Sequence, residues 1–165
     1  MRVLKIIVAL SLTFLVASCG QSKFRSYNGP EVTQVIISKS DRRMYLLNDQ
    51  KVLKSYDVGL GFAPEGHKQF EGDGKTPEGN YTIDRRNPNS NYHLSVGISY
   101  PNEQDKAFAA EQGKPPGGDI FIHGNTGYRP EYRGDWTAGC VAVTDREIED
   151  IYAMVNDGTP IQIQP

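Results

Sequence analysis

Residues 32–61 read VTQVIISKSDRRMYLLNDQKVLKSYDVGLG, and this stretch decides the fold. Apolar and polar side chains alternate with period 2 through 32–37, 44–47 and 52–58, and turn residues bound each run, the pattern of strands with one buried face. Asn48-Asp49-Gln50-Lys51 makes a tight connection, so the second and third runs are predicted to pair as an antiparallel hairpin. Further strands are predicted at 81–84, 93–98, 120–123, 141–143 and 161–163. A helix is predicted over 145–155, where Thr144 caps it, Glu147 completes a capping box, and Ile148, Ile151, Tyr152 and Val155 share a face. Asn156-Asp157-Gly158 ends it. A thinner helical pattern covers 104–112, with only Ala107, Phe108 and Ala110 as its apolar face. Strands outnumber helices, so the expected class is mainly β (α+β): a sandwich or open barrel with one or two docked helices.

The chain has 165 residues, 38% of them hydrophobic, enough for one packed core. Its 18 Lys and Arg against 20 Asp and Glu give a formal charge of −2, which disfavours a nucleic-acid partner. Two cysteines cannot build a disulfide framework. No internal repeat, low-complexity tract or sustained heptad is visible.

The N-terminus reads as an address. Arg2 and Lys5 precede an apolar stretch, residues 6–16, that is too short to span a bilayer, so residues 1–18 are expected to be a secretory signal. The stretch closes on Val16-Ala17-Ser18-Cys19, which resembles a bacterial lipobox, in which the cysteine becomes the acylated first residue. Cys19 is then a lipid anchor to a membrane on the periplasmic side of the envelope, with Gly20 rather than Asp favouring the outer one. The alternative is ordinary secretion with Cys19 as a bystander. The remaining 147 residues carry 16 Lys and Arg against 20 Asp and Glu, a charge of −4. Residues 19–30, with the polar run QSKFRSYNGP, are expected to be the lipidated cysteine and a flexible tether, and residues 31–165 the folded domain.

The chemistry concentrates in the last third. With Cys19 lipidated, Cys140 has no disulfide partner, and a free thiol in an oxidising compartment suits a nucleophile that has a base within reach. His123 ends the apolar run Ile120-Phe121-Ile122 and precedes Gly124, where backbone can be approached closely. Cys140 follows Gly139 and precedes the β-branched run from Val141, so two strand ends can bring thiol and imidazole together. The Gly139 and Cys140 N–H groups are candidates for an oxyanion hole. The plainer alternative is a small buried cysteine and a satisfied histidine.

These residues carry a resemblance. IFIHGN at 120–125, DWTAGCVAV at 135–143, TDREIEDIYAMVNDGTPIQI at 144–163, DGKTPEGNYTI at 73–83 and the opening hairpin together resemble the L,D-transpeptidases with a YkuD-type catalytic domain, over nearly all of 31–165. The resemblance implies a β-rich fold and a cysteine enzyme acting on peptidoglycan stem peptides. It makes Cys140 the nucleophile and His123 the general acid/base, with Gly124 lending a backbone carbonyl to orient the imidazole and Thr137 supporting the nucleophile loop. It implies a cell-wall role, either transfer to a neighbouring amine, giving 3-3 cross-links or attached proteins, or hydrolysis of the same kind of bond. Ala138 and Ala142 stand where most members carry His and Arg or Asn, which leaves that choice and the acceptor open.

Tyr92, with His93 before the strand at 94–98, belongs either to the rim of the site or to the core. Trp136 either walls the pocket or fills the core. Arg129 and Arg133 lie between His123 and Cys140, as a lid gripping a carboxylate or as a solvated loop. A zinc site from His67, His93, His123 and Cys140 fits no compact ligand motif, so no metal and no cofactor is expected. Two classes of function remain, a lipid-anchored cell-wall enzyme and a non-catalytic peptidoglycan-binding module with Cys140 buried.

Overall fold

The computed structural model describes residues 22–125 and 134–165. Eight strands run in chain order as β1 (Gln34–Ser38), β2 (Arg43–Asn48), β3 (Lys51–Asp57), β4 (Gly79–Asn87), β5 (Ser95–Ile98), β6 (Phe121–His123), β7 (Val141–Ala142) and β8 (Pro160–Gln164). Two helices accompany them, α1 (Glu103–Glu111) and α2 (Asp145–Met154). Cys19 with residues 1–18, and Arg129 with Arg133, lie outside the described residues.

The predicted hairpin is there. β2 and β3 pair antiparallel from Arg43↔Asp57 to Asn48↔Lys51, and the alternation buries Met44, Leu46 and Tyr56 on one side. β1 joins β2 antiparallel, and β8, the last strand of the chain, inserts beside β1 in parallel, Val35 facing Ile161. The sheet order is β3-β2-β1-β8-β4-β5-β6-β7. Chain-end residues 161 and 163 thus lie in the middle of the sheet, with Ile161 and Ile163 at most 2% exposed.

The sheet curls instead of splitting into a sandwich. Beyond β3 the chain continues through Val58-Gly59-Leu60-Gly61 and meets the opposite edge. Gly59 exchanges hydrogen bonds with Ala142 of β7 at 2.9 and 2.8 Å, and Phe62 N–H donates to Thr137 O at 2.9 Å. The continuation of the first edge strand bridges to the last one at Gly59 and Gly61, which covers part of the β7 edge and makes a half-barrel. The glycines are steric requirements: a Cβ on Gly59 would lie 2.5 Å from Gly134 O, and one on Gly61 2.1 Å from Gly74 O.

α2 forms as the sequence predicts. Thr144 and Glu147 complete the capping box, and Ile148, Ile151 and Met154 are buried where the helix packs on β5 and β6. Tyr152, expected on that face, is half-buried at its edge and packs against the core, with the Arg86 guanidinium 4.0 Å from its ring centroid. α1 departs further from expectation. Its buried residues are Asp105 and Ala109, while Phe108 is 40% exposed. Asp105 sinks because its carboxylate is fully used, accepting from Tyr81 Oη at 3.1 Å and the Asn102 N–H at 2.9 Å and meeting His67 Nε2 at 3.0 Å. An acidic residue in a helix's first turn is invisible to an apolar-face count but well placed for capping.

Residues 22–30 also correct the reading of a flexible tether. Arg25 binds Glu149 at 2.6 Å and Asp150 at 2.5 Å on α2, and the Phe24 ring lies 6.2 Å from that of Tyr152. The segment is a docked strap, because its cations meet the acidic outer face of α2.

Candidate active site

β6 and β7 run parallel, with Ile122 opposite Val141 and His123 opposite Ala142. Side chains alternate along each strand, so Ile122 and Val141 point into the core, both fully buried, while His123, Phe121 and the residue before β7, Cys140, share the other face. The parallel register makes Cys140 and His123 diagonal neighbours. Both line one cleft of about 270 Å³ with Asn87, Tyr92, Ser95 and Asp119.

The thiol is held at its base. Cys140 Sγ accepts from the Phe121 N–H and donates to Asp119 O, each at 3.4 Å. Burial pushes the Cys140 thiol above the ordinary cysteine value, opposed by the Phe121 N–H, so the resting group is a neutral thiol. His123 is 4% exposed, and burial lowers its value below the ordinary one, opposed by its bond to Gly124. That bond, 2.6 Å from Nδ1 to Gly124 O, sets the tautomer. A carbonyl only accepts, so Nδ1 carries the proton and Nε2 keeps its lone pair as the available base. Position 124 must be glycine: a Cβ there would lie 2.7 Å from Tyr92 O and 2.5 Å from Asp145 Oδ1.

Two aromatic rings fix the imidazole plane. Tyr92 stacks on His123 at 4.4 Å and 29°, and Trp136 meets it edge-on at 5.8 Å and 70°. Tyr92 is therefore at the site's rim, 41% exposed and lining the cleft, whereas Trp136 is half-buried and packs against the imidazole.

Thr137 folds the nucleophile loop on itself. Its Oγ1 donates to Cys140 O at 2.7 Å and accepts from the Gly139 N–H at 3.1 Å. This corrects one expectation: the Gly139 N–H is already given to Thr137, so Gly139 serves as a backbone pivot, at φ +137°, rather than as an oxyanion donor. Asp135 was missed in the sequence. Its Oδ1 accepts from the Leu60 N–H at 2.9 Å and its Oδ2 binds Arg42 at 2.9 Å, fastening the loop to the closing segment of the barrel. Asp119 was missed too; the signal was its place between Gly118 and Ile120 at the entrance to β6, where it takes a left-handed φ of 53°. His67 and His93 have partners of their own, Asp105 and Glu149, and among the described residues no three His, Cys, Asp or Glu side chains gather as a metal site.

On the other side of Asp119 lies a larger cleft, about 700 Å³, lined among others by Lys68, Glu71, Arg85, Tyr100 and Ala138. Arg85 sits 4.4 Å over the Phe121 ring, next to the thiol's backbone donor. Ala138 leaves this cleft open where a larger side chain would intrude. Ala142 is 5% exposed and its neighbour Gly59 would place a Cβ 3.8 Å from it, so a long side chain at 142 has no room without opening the barrel closure.

A curled half-barrel that presents a thiol and an oriented imidazole at the ends of two parallel strands defines a domain of the L,D-transpeptidase type. The YkuD L,D-transpeptidase catalytic-domain profile matches residues 33–163, and the chain belongs to that family. It is 32% identical over 127 residues to the "Putative L,D-transpeptidase YafK" of Escherichia coli K12, covering 76% of this chain and 44% of that one. The helical cell shape determining protein Pgp2 of Campylobacter jejuni superposes with a TM-score of 0.60 at 30% identity, over 83% of this chain and 49% of that one. An L,D-transpeptidase from Xylanimonas cellulosilytica shares the fold at 13% identity and a TM-score of 0.53, over 85% and 64%. The chain spans about half the length of YafK and Pgp2.

Proposed function

We propose that this chain is a cell-wall cysteine acyltransferase acting on peptidoglycan stem tetrapeptides, anchored through a lipid on Cys19 at the periplasmic face of the envelope. The observation that carries the chemistry is the shared cleft, where a half-buried thiol lies beside an imidazole whose Nδ1 is tied to Gly124 O and whose Nε2 is available. Nε2 takes the thiol proton as Sγ attacks the carbonyl carbon of the third residue, a diamino acid. The C–N bond to D-alanine then breaks, the leaving amine takes that proton from Nε2, and a thioester remains. An incoming amine, or water, loses a proton to Nε2 as it attacks; the C–S bond breaks and the proton returns to Cys140. An amine gives a 3-3 cross-link and water a tripeptide. Because Nε2 must reach the leaving amine, the departing residue belongs in the cleft with His123 and Tyr92. The side chain of the diamino acid then extends toward the larger cleft, whose Lys68, Arg85, Glu71 and Asp119 offer both signs of charge to its head group.

The test is mass spectrometry of tetrapeptide muropeptides incubated with the protein, with Cys140→Ala as the blank. Cysteine-dependent loss of D-alanine supports the reading, and the dimer-to-tripeptide ratio separates transfer from hydrolysis. No cysteine-dependent product from tetrapeptides or from pre-formed linkages would leave a binding module.

The pH dependence has a definite sign. Burial lowers the folded value of His123, so the ring stays neutral, and able to accept the thiol proton, at and somewhat below the ordinary histidine value of about 6.5. The acidic limb of log(kcat/KM) is therefore expected below pH ~6.5. A limb centred above pH ~7 would mean that His123 is not the base.

A further inference from the structure

We infer that Lys23 is a positioning residue for His123, clamping the two ends of the loop that lays Tyr92 on the imidazole; the inference rests on the function proposed above. Lys23 Nζ donates to Pro88 O at 2.6 Å and to His93 O at 3.2 Å, so a single ammonium joins both ends of residues 88–93. Between those ends, the bonds on the loop's N–H groups are short-range among the described residues, Asn89 N–H to Asn87 Oδ1 and Tyr92 N–H to Ser90 Oγ. The loop needs an outside hold because His93 adopts a left-handed φ of 73°, a conformation that persists in a non-glycine residue only when its surroundings enforce it. They do so twice. His93 Nε2 meets Glu149 Oε1 at 2.8 Å while Lys23 takes its carbonyl, and Arg25 on the same strap binds Glu149 Oε2 at 2.6 Å.

The enforced geometry is spent on the site. The residue before His93 is Tyr92, whose ring stacks on His123 at 4.4 Å and whose carbonyl lies against Gly124, the residue that sets the imidazole tautomer. The contacts are half-buried bonds from one ammonium to two backbone carbonyls at the edge of the fold, so this clamp orders a loop rather than holding a core together. Losing it should therefore loosen the base without unfolding the domain. The strap thus couples the segment that follows the proposed lipid anchor to the base of the active site.

The experiment uses the full chain in detergent micelles and compares wild type, Lys23→Ala and Lys23→Arg. Three readouts are taken: kcat and KM on tetrapeptide stems, the melting temperature, and the pH midpoint of Trp136 emission. Trp136 is the only tryptophan and lies 5.8 Å from His123, so its quenching by imidazolium reports that ring, with His123→Gln assigning the transition. Lys23→Ala is expected to lower kcat about 5- to 20-fold with KM within about 2-fold, the signature of a misplaced catalytic group. It should also raise the emission midpoint toward the ordinary histidine value, as Tyr92 uncovers the ring, while the melting temperature holds. Lys23→Arg should restore most of the rate, since a guanidinium can also bridge two carbonyls. Wild-type kcat and midpoint in Lys23→Ala would overturn the inference, as would a Lys23→Arg variant no better than Lys23→Ala. If wild type leaves the stems untouched, the functional reading fails by itself, and the emission midpoint still decides the clamp.

Discussion

His123→Gln is expected to lower kcat/KM on tetrapeptide stems by roughly 10²- to 10⁴-fold, the usual contribution of a positioned acid/base group. That corresponds to about 3–5 kcal/mol of transition-state stabilisation. Glutamine is the informative replacement. It fills most of the space between Tyr92 and Trp136, which an alanine would leave as a void at a position only 4% exposed, and its amide cannot take the thiol proton. Because burial raises the Cys140 value, little thiolate exists at neutral pH without help, and the loss falls on kcat. Alkylation of Cys140 by iodoacetamide should slow in the same variant, in an assay that needs no substrate recognition. A variant within about 3-fold of wild type in both assays would remove His123 from the mechanism. Cys140→Ala sets the floor of both measurements.

The pairing of these two residues was legible because each sits in a short, strongly apolar run beside a glycine, and such runs read as buried strand ends wherever they occur. The opening hairpin and α2 were legible for similar reasons: period 2 in 44–47 and 52–58, and a capping box at Thr144 and Glu147, are local signals that tertiary packing only reinforces. Contacts between distant segments were not. Tyr92 reaches His123 across 31 positions through a loop without periodicity, and nothing in residues 88–93 announces that Lys23 and Glu149 hold it. Asp135 is another such case, since a lone aspartate ahead of Trp136 carries no mark of the Leu60 N–H that it receives. The strap was misread because polar composition predicts solvation, whereas Lys23 and Arg25 find fixed acceptors on the folded surface. The Gly59-Leu60-Gly61 spacing did hold a usable signal: alternate glycines just after a strand mark places where other backbone comes close, here the closure of the barrel.

The same crowding makes Gly139→Ala a severely damaging single-methyl change, and one that acts directly on the nucleophile loop. A Cβ at 139 would lie 2.7 Å from Lys75 O and 3.2 Å from Ile120 Cδ1, in a residue whose φ of +137° side chains rarely adopt. The carbonyl cannot easily withdraw, since Lys75 N–H is held by Asp73 Oδ1 at 3.1 Å and Asp73 also binds Lys68 at 2.9 Å. Left-handed strain of about 1–2 kcal/mol adds to about 1–3 kcal/mol of overpacking, which at about 2–4 °C per kcal/mol lowers the melting temperature by roughly 4–20 °C. Any relief must come from the nucleophile loop, which displaces Cys140 from the Phe121 N–H and from the His123 cleft, so turnover should fall by at least about 10²-fold even well below the melting point. Thr137→Val separates the two effects. It keeps the volume but removes the acceptor for Gly139 N–H and the donor to Cys140 O, so activity should drop with a loss of only about 1–3 kcal/mol in stability. Gly139→Ala melting like wild type and retaining its rate would mean that the loop has room to relax, and that the thiol is not placed by the Thr137–Gly139 pivot.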